Sequence, residues 1–229
     1  PQTPNPKPQT PNPNHIHLLR GSHEDKKINT FEGLFTECQQ RLKEDPNLPT
    51  SIFNKLNEVF EYFSYGAVIG GKIFCTHSGI GTTLKKIDQI DKLKKPFRIN
   101  HDDLSSAEQK LVFDLLWSDP YNLDDDGWAK NSRGAGWLFG ARVVADFNHL
   151  NGLELIARAH QLVQEGYEYW FPERSLVTVW SAPNYSYKCG NQASIMMVNE
   201  YLERSFKIFK EVPESKLVTD IEHFIPYFL

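Results

Sequence analysis

The sequence has few cysteines, no excess of basic side chains and no long apolar run. Its three cysteines, Cys38, Cys75 and Cys189, are odd in number and widely spaced, which argues against a disulfide framework or a zinc ribbon. With 25 basic and 29 acidic residues the net charge is −4, so the basic face that nucleic-acid binding needs is not expected. No apolar run approaches the roughly 20 residues of a membrane span, and the start does not resemble a signal peptide. We therefore expect a globular protein of the cytoplasm or nucleus that binds neither nucleic acid nor membrane.

Proline is concentrated at one end of the sequence. Six of the 14 prolines fall in the first 13 residues, where Pro-Gln-Thr-Pro-Asn-Pro occurs at 1–6 and again at 8–13. Because no apolar residue occurs through Asn14, this segment cannot bury enough surface to offset the entropy lost on ordering. We expect residues 1–14 to form an extended tail, which is either an inert leader, the interpretation we favour, or a docking segment for a proline-binding partner.

Beyond the tail, apolar periodicity predicts a mixed fold. Apolar residues recur every three to four positions over 24–43, 51–63, 106–116 and 141–149, which indicates amphipathic helices. Short runs typical of strands occur at 16–19, 67–69, 72–75, 153–159, 167–171, 176–180, 194–198 and 205–209. We predict one α/β domain over 15–212, with two packed sheets and an antiparallel last third, followed by a tail over 213–229.

Several polar residues are placed where they could carry chemistry. His23, His77 and His160 each follow a short apolar strand, and strand ends are where mixed α/β folds collect ligands and catalytic groups. A single histidine in such a place is more often structural than functional, but three together support the structural and the functional interpretation equally. Arg133 lies in a glycine-rich segment where its guanidinium could grip two oxygens of a ligand, or it is an exposed turn residue. Tyr185, in a turn after a strand, either faces a cleft or packs.

Five separated segments occur in the order and spacing of a known family. They are residues 18–24 (Leu-Leu-Arg-Gly-Ser-His-Glu), 73–79 (Ile-Phe-Cys-Thr-His-Ser-Gly), 115–120 (Leu-Leu-Trp-Ser-Asp-Pro), 158–161 (Arg-Ala-His-Gln) and 181–185 (Ser-Ala-Pro-Asn-Tyr). Together they resemble the catalytic subunits of the phosphoprotein phosphatases that act on serine and threonine. Residues 133–140, 159–167 and 185–192 are similar to the type-2A group, which includes the type-4 and type-6 enzymes. Residues 226–229 resemble the type-2A tail, which makes Leu229 a candidate for carboxyl methylation.

The resemblance implies a metallophosphoesterase-like two-sheet β-sandwich flanked by helices. It also implies hydrolysis of phosphoserine and phosphothreonine in proteins with two divalent metal ions, which could be manganese, iron or zinc. By position, His77 and His160 would ligate the second metal, and His23 would be the general acid that protonates the leaving oxygen.

The same resemblance implies how substrate is held. Arg133 would bind phosphate oxygens in a bidentate way, and Asp119 and Tyr185 would line the substrate cleft. Phosphoprotein substrates and the regulatory or scaffold subunits of type-2A-like phosphatases are the implied partners.

The sequence also departs from the family. The motifs Gly-Asp-x-His-Gly and Gly-Asp-x-x-Asp-Arg-Gly belong upstream of residues 18–24, where only the proline-rich segment stands, and Ser22 replaces an asparagine that ligates the second metal. We therefore expect an N-terminally incomplete domain that holds at most one weakly bound divalent ion. One hypothesis is a working phosphatase whose sequence lacks its N-terminal third. The other, which Ser22 favours, is a catalytically inactive binding module or decoy for regulatory subunits.

Overall fold

A computed structural model describes residues 16–123 and 127–212, in which helices alternate with strands. The helices are α1 (Lys26–Phe31), α2 (Leu34–Leu42), α3 (Ile52–Phe60), α4 (Asp88–Asp91), α5 (Ala107–Trp117) and α6 (Ala141–Asn151). The strands are β1 (Gly66–Ile69), β2 (Ile73–Thr76), β3 (Asp119–Pro120), β4 (Trp128–Lys130), β5 (Trp137–Phe139), β6 (Leu155–Arg158), β7 (Glu165–Trp170), β8 (Leu176–Val179), β9 (Gln192–Val198) and β10 (Arg204–Phe209). The proline-rich segment and the C-terminal tail with Leu229 lie outside the described residues.

Capping side chains and one glycine set the helix boundaries near the site. Asp25 caps α1 by accepting from the backbone N–H groups of Lys27 and Ile28, and Ser51 caps α3 by accepting from the Asn54 N–H. The prediction of one continuous helix over 24–43 is wrong. Gly33 adopts a left-handed backbone conformation, with φ of 104°, and separates α1 from α2. Apolar periodicity continues across this break, so it does not reveal the break.

Most of the strands form one series of hydrogen-bonded neighbours in the order β1-β2-β6-β8-β7-β9-β10. Strands β2, β6 and β8 are parallel, which places the segments that follow β2 and β6 at the same edge of the sheet. Strand β7 changes partner along its length: Glu165 and Gly166 pair with β9, and residues 167–170 pair with β8. Because β7 and β9 are parallel, the prediction of a purely antiparallel last third is wrong.

Strands β3, β5 and β4, none of which was predicted, form a second, small sheet. Each is two or three residues long, which is too short for an alternating pattern to be visible. The predicted strand over 16–19 is reduced to a single bridge between Leu19 and Ser64. The predicted mixed α/β fold with flanking helices is confirmed.

The main apolar core lies between the helices and the sheet and fixes the strand ends. Phe74 of β2, Ile156 of β6 and Leu176 of β8 contribute fully buried side chains, and Leu115 of α5 and Phe139 of β5 pack in the same cluster. Burial on this scale stabilises the fold by about 1.5–3 kcal/mol for each large side chain.

Within the part of the chain that the structure describes, no helix is both long enough and apolar enough to span a bilayer.

Candidate active site

Two histidines meet at the edge of the sheet. His77 directly follows β2, and His160 lies two residues after β6, the adjacent parallel strand. His77 Nε2 lies 3.1 Å from His160 Nδ1, and the ring centroids are 4.9 Å apart. His160 has a φ of 64°, in the left-handed region that non-glycine residues rarely adopt. Such backbone strain is common at functional sites.

The segment that follows Leu19 brings a third polar group to this pair. Ser22 is buried, and its Oγ lies 3.2 Å from His77 Nε2 and 3.5 Å from His23 Nδ1. Gly21 allows this close approach because a Cβ there would lie 2.9 Å from His77 Nδ1. His23 itself is exposed to solvent beside this partly buried pair. The structure therefore brings all three predicted histidines to one place.

Burial makes His77 and His160 neutral at physiological pH. It lowers the pKa of His77 to about 3, and the positive charge of Arg158 adds to the effect. Burial also holds the pKa of His160 far below its usual range, with contributions from His77 and Arg158. The indole ring of Trp117 packs edge-on against His160, with centroids 5.6 Å apart. Neutral imidazoles keep the lone pair that a metal ligand or a proton acceptor needs.

Two arginines share the buried carboxylate of Asp119. Arg158 Nη2 donates to Oδ1 of Asp119 at 2.7 Å, and Arg133 Nε donates to Oδ2 at 2.8 Å. Asn131 Nδ2 also donates to Oδ2, at 2.9 Å. Asp119 is only 2% exposed, so it lies behind Arg133 and holds it instead of presenting a free carboxylate to the cleft. Arg133 keeps about a third of its side chain exposed (35%) and is therefore a firmly positioned surface cation.

Tyr185 lies at the start of a short 3₁₀ turn, Tyr185–Tyr187, in the segment between β8 and β9. Its ring packs edge-on against Trp180 with centroids 4.9 Å apart. With His23 it lines a pocket of about 290 Å³ beside the histidine pair. The structure therefore places Tyr185 next to the predicted general acid, as a cleft residue would be.

The donors at the histidine pair suit one cation and not two. Two imidazole nitrogens bound to one ion at about 2.0–2.1 Å with tetrahedral or octahedral angles lie roughly 2.8–3.4 Å apart. The distance of 3.1 Å from His77 Nε2 to His160 Nδ1 falls in that range, and Ser22 Oγ adds a neutral oxygen. Among the described residues no group of three or more histidine, cysteine, aspartate or glutamate side chains is arranged to hold a metal.

Comparison with known proteins identifies the family of this site. A model of the calcineurin-like phosphoesterases matches residues 4–164. The chain belongs to this family. Its members are metal-dependent and have a dinuclear site. The chain is 46% identical over 202 residues to the serine/threonine-protein phosphatase PP1-1 of Saccharomyces cerevisiae, a match that covers 88% of this chain and 60% of that protein.

Other phosphatases give the same result. The chain is 44% identical over 205 residues to SIT4 of Candida albicans, covering 90% of this chain and 61% of that protein. A solved structure of a protein serine/threonine phosphatase from Saccharomyces cerevisiae, with similarity to human phosphatase PP5, superposes with a TM-score of 0.72 at 25% identity. That match covers 87% of this chain and 62% of the solved one. The resemblance to serine/threonine phosphatases is confirmed, and the chain spans about 60% of the length of these relatives.

Arg158 and Asn131 were not predicted to have a role at the site. Arg158 is buried in the last position of β6, where it bonds to Asp119 and to the side chain of Gln161 at 2.8 Å. A charged residue that ends an otherwise apolar strand is a signal that could have identified it, because buried arginines are nearly always paired. Asn131 gave no comparable signal, since asparagine is common in turns.

Proposed function

We propose that this chain carries the catalytic groups of a metal-dependent phosphatase that hydrolyses phosphoserine and phosphothreonine in proteins. The observation that carries the proposal is the contact of His77 Nε2 with His160 Nδ1, with Ser22 and the exposed His23 beside it. A divalent ion held there by the two imidazoles would supply a water of lowered pKa and would neutralise charge on the phosphoryl oxygens. The relatives named as serine/threonine phosphatases supply the substrate class.

His23 fits the part of a general acid. Its ring is exposed beside the histidine pair, and Ser22 Oγ lies 3.5 Å from its Nδ1. An imidazole near neutral pH can donate a proton to the oxygen of a departing serine or threonine side chain. A positioned group of this kind contributes about 10²–10⁴-fold to the rate.

Arg133 fits the part of a phosphate clamp. Asp119 accepts from its Nε at 2.8 Å, which fixes the plane of the guanidinium and leaves its two terminal nitrogens for ligand oxygens. Tyr185 would border the substrate on the side of His23. Asp119 acts through Arg133 and is therefore a positioning residue.

The metal content that we propose is one weakly held ion. The site offers two imidazoles and a hydroxyl, and within residues 16–123 and 127–212 neither a carboxylate nor a side-chain amide oxygen hydrogen-bonds to this pair. Charge on the ligands is what gives manganese or zinc sites much of their affinity, so a neutral set of three binds weakly. We propose phosphoproteins as substrates and regulatory or scaffold subunits as partners, by analogy with type-2A-like phosphatases.

A second candidate is an inactive binding module for regulatory subunits. Ser22 is the observation that favours it, because a hydroxyl stands where the resemblance expects an amide ligand. In that case the side chains that match the family would maintain the fold and the binding surface without catalysing hydrolysis.

Phosphate release from a phosphothreonine peptide, measured with manganese, separates the two candidates. We expect release by the 229-residue chain to fall about 10²–10⁴-fold in His23→Ala. His149→Ala, which removes an exposed histidine on α6, is the matched control and should leave the rate unchanged. Metal binding without phosphate release by the wild-type chain would support the binding module. If the wild-type chain neither binds metal nor releases phosphate, the phosphatase is rejected.

A further inference from the structure

Glu32, which lines the pocket beside His23, has a carboxylate oxygen without a hydrogen-bond partner among the described residues. Glu32 directly follows α1, and its Oε2 is buried without any hydrogen bond. The neighbouring polar groups of the pocket are engaged elsewhere: Glu24 Oε2 accepts from the Gly21 N–H at 2.8 Å, and Asn29 Nδ2 donates to Asn57 Oδ1 at 2.8 Å. A carboxylate removed from water without a partner is costly, so this oxygen is an acceptor that needs a donor.

The walls of the same pocket are apolar. Leu34 at the start of α2, Phe60 at the end of α3 and the ring of Tyr185 line it, and no lysine or arginine of the described residues does. Its volume of about 290 Å³ lies near the lower end of ligand pockets, roughly 300–1,000 Å³. It is therefore suited to a single side chain and not to a large ligand.

The negative charge of Glu32 reaches the neighbouring ring. Burial raises the pKa of the Tyr185 phenol, and the charge of Glu32 is the next contribution. A group that enters the pocket thus meets a carboxylate and an aromatic ring. Lysine and arginine match both features, since their alkyl stems pack on apolar surface while their heads pair with a carboxylate or lie on an aromatic ring.

We propose that this pocket binds the lysine or arginine side chain of a substrate peptide, next to its phosphorylated residue. The proposal rests on the proposed function, because His23 and Tyr185 border both the pocket and the reacting phosphate. Glu32 would be a specificity-determining residue: it pairs with the cationic head, while Leu34 and Phe60 cover the stem. A peptide with a neutral side chain at that place would leave the buried carboxylate unpaired.

Peptide binding tests the proposal without requiring turnover. The probes are two fluorescent peptides that carry a non-hydrolysable phosphonate in place of phosphoserine, one flanked by lysines and the other by norleucines. We expect the wild-type chain to bind the lysine peptide at least about tenfold more tightly, as a charge-assisted hydrogen bond would give. Glu32→Gln should abolish the preference and weaken binding of the lysine peptide alone.

Two further variants test whether the preference depends on the charge of Glu32 in particular and on access to the pocket. Glu58→Gln removes the same charge from an exposed position on α3 and should keep the preference. Leu34→Lys places an amine within the pocket itself and should abolish the preference as Glu32→Gln does. Equal affinity of the wild-type chain for both peptides, or no binding of either, would overturn the proposal.

Hydrolysis of p-nitrophenyl phosphate, which has no side chain to fill the pocket, separates this proposal from the proposed function. If the chain does not cleave it but still prefers the lysine peptide, the phosphatase activity fails and the pocket stands. If the chain cleaves it and shows no preference between the two peptides, the pocket fails and the phosphatase stands.

Discussion

Arg158 donates from Nη2 to Oδ1 of Asp119 at 2.7 Å, and the two side chains are 0% and 3% exposed. The same guanidinium donates to the backbone carbonyl of Ser78 and to Oε1 of Gln161. Ser78 and Gln161 are the immediate neighbours of the two histidines that contact each other. A single buried arginine therefore ties both histidine segments to the carboxylate that anchors Arg133.

Removing the charge of Asp119 should destabilise the fold strongly. Asp119→Asn leaves Arg158 buried without a counter-charge, and breaking a buried pair in this way costs about 3–5 kcal/mol. Burial already lowers the pKa of Arg158 to about 10 in spite of Asp119, which shows how unfavourable its environment is for a cation. Urea unfolding of the wild type and the variant measures the difference.

The exposed pair of Lys55 and Glu58 provides the control for this prediction. Its atoms lie 2.9 Å apart on α3, with more than half of each side chain exposed. Glu58→Gln should therefore lower the free energy of unfolding by no more than about 0.5 kcal/mol. Equal losses in Asp119→Asn and Glu58→Gln would show that Arg158 does not depend on its buried partner.

The histidine pair could be anticipated from the sequence, but its anchoring could not. His77 and His160 each follow an apolar run, and parallel neighbouring strands bring such positions together. The role of Arg158 depends on a contact with Asp119, 39 positions away, across two separate sheets. Nothing in local periodicity reports such a contact. The unpaired carboxylate of Glu32 is likewise visible only once the helices are packed.

The secondary structure was likewise predicted where its signal is local and missed where it is not. The predicted helices over 51–63 and 106–116 start where α3 and α5 start, because apolar periodicity is a local signal, and the hydroxyls of Ser51 and Ser106 accept cap hydrogen bonds there. The break at Gly33 was missed because the apolar period passes through it. A single glycine inside a helical pattern is tolerated at a cost of about 1 kcal/mol, so its presence alone does not predict a break.

Gly33→Ala should destabilise the fold by about 1–2 kcal/mol, since an alanine at φ of 104° places its Cβ against the following carbonyl. Gln40→Ala, at an exposed position of α2, is the matched control and should change stability by less than about 0.5 kcal/mol. Thermal unfolding of both variants checks this. An unchanged midpoint in Gly33→Ala would mean that α1 and α2 can join into one helix.

Ser22→Asn should tighten metal binding at the histidine pair. An amide oxygen reaches further than the hydroxyl that now lies 3.2 Å from His77 Nε2. Changes in groups that merely orient metal ligands already alter affinity about 10–100-fold, so a direct ligand should gain at least about tenfold. Manganese titration by calorimetry measures it.

His160→Ala is the complementary variant and should abolish binding in both the wild-type and the Ser22→Asn backgrounds. Asn199→Ser, at an exposed turn between β9 and β10, controls for non-specific effects of exchanging these two residue types. Metal binding that survives His160→Ala would place the ion elsewhere in the protein.

Asp114 should make the stability of the fold depend on pH between about 4 and 7. Burial raises its pKa from 3.8 to about 7, against the smaller opposing effects of the Thr82 N–H, Lys110 and Trp137. Because the folded state binds the proton of Asp114 more tightly than the unfolded state, the contribution of Asp114 to stability is most favourable below pH 4 and falls as pH rises toward 7, by up to roughly 4 kcal/mol. Asp114→Asn cannot titrate, so its free energy of unfolding in urea should fall less than that of the wild type between pH 4.5 and 7.5. Glu108→Gln, exposed on the same helix, should follow the wild type, and identical pH profiles for Asp114→Asn and the wild type would mean that Asp114 titrates at its ordinary pKa.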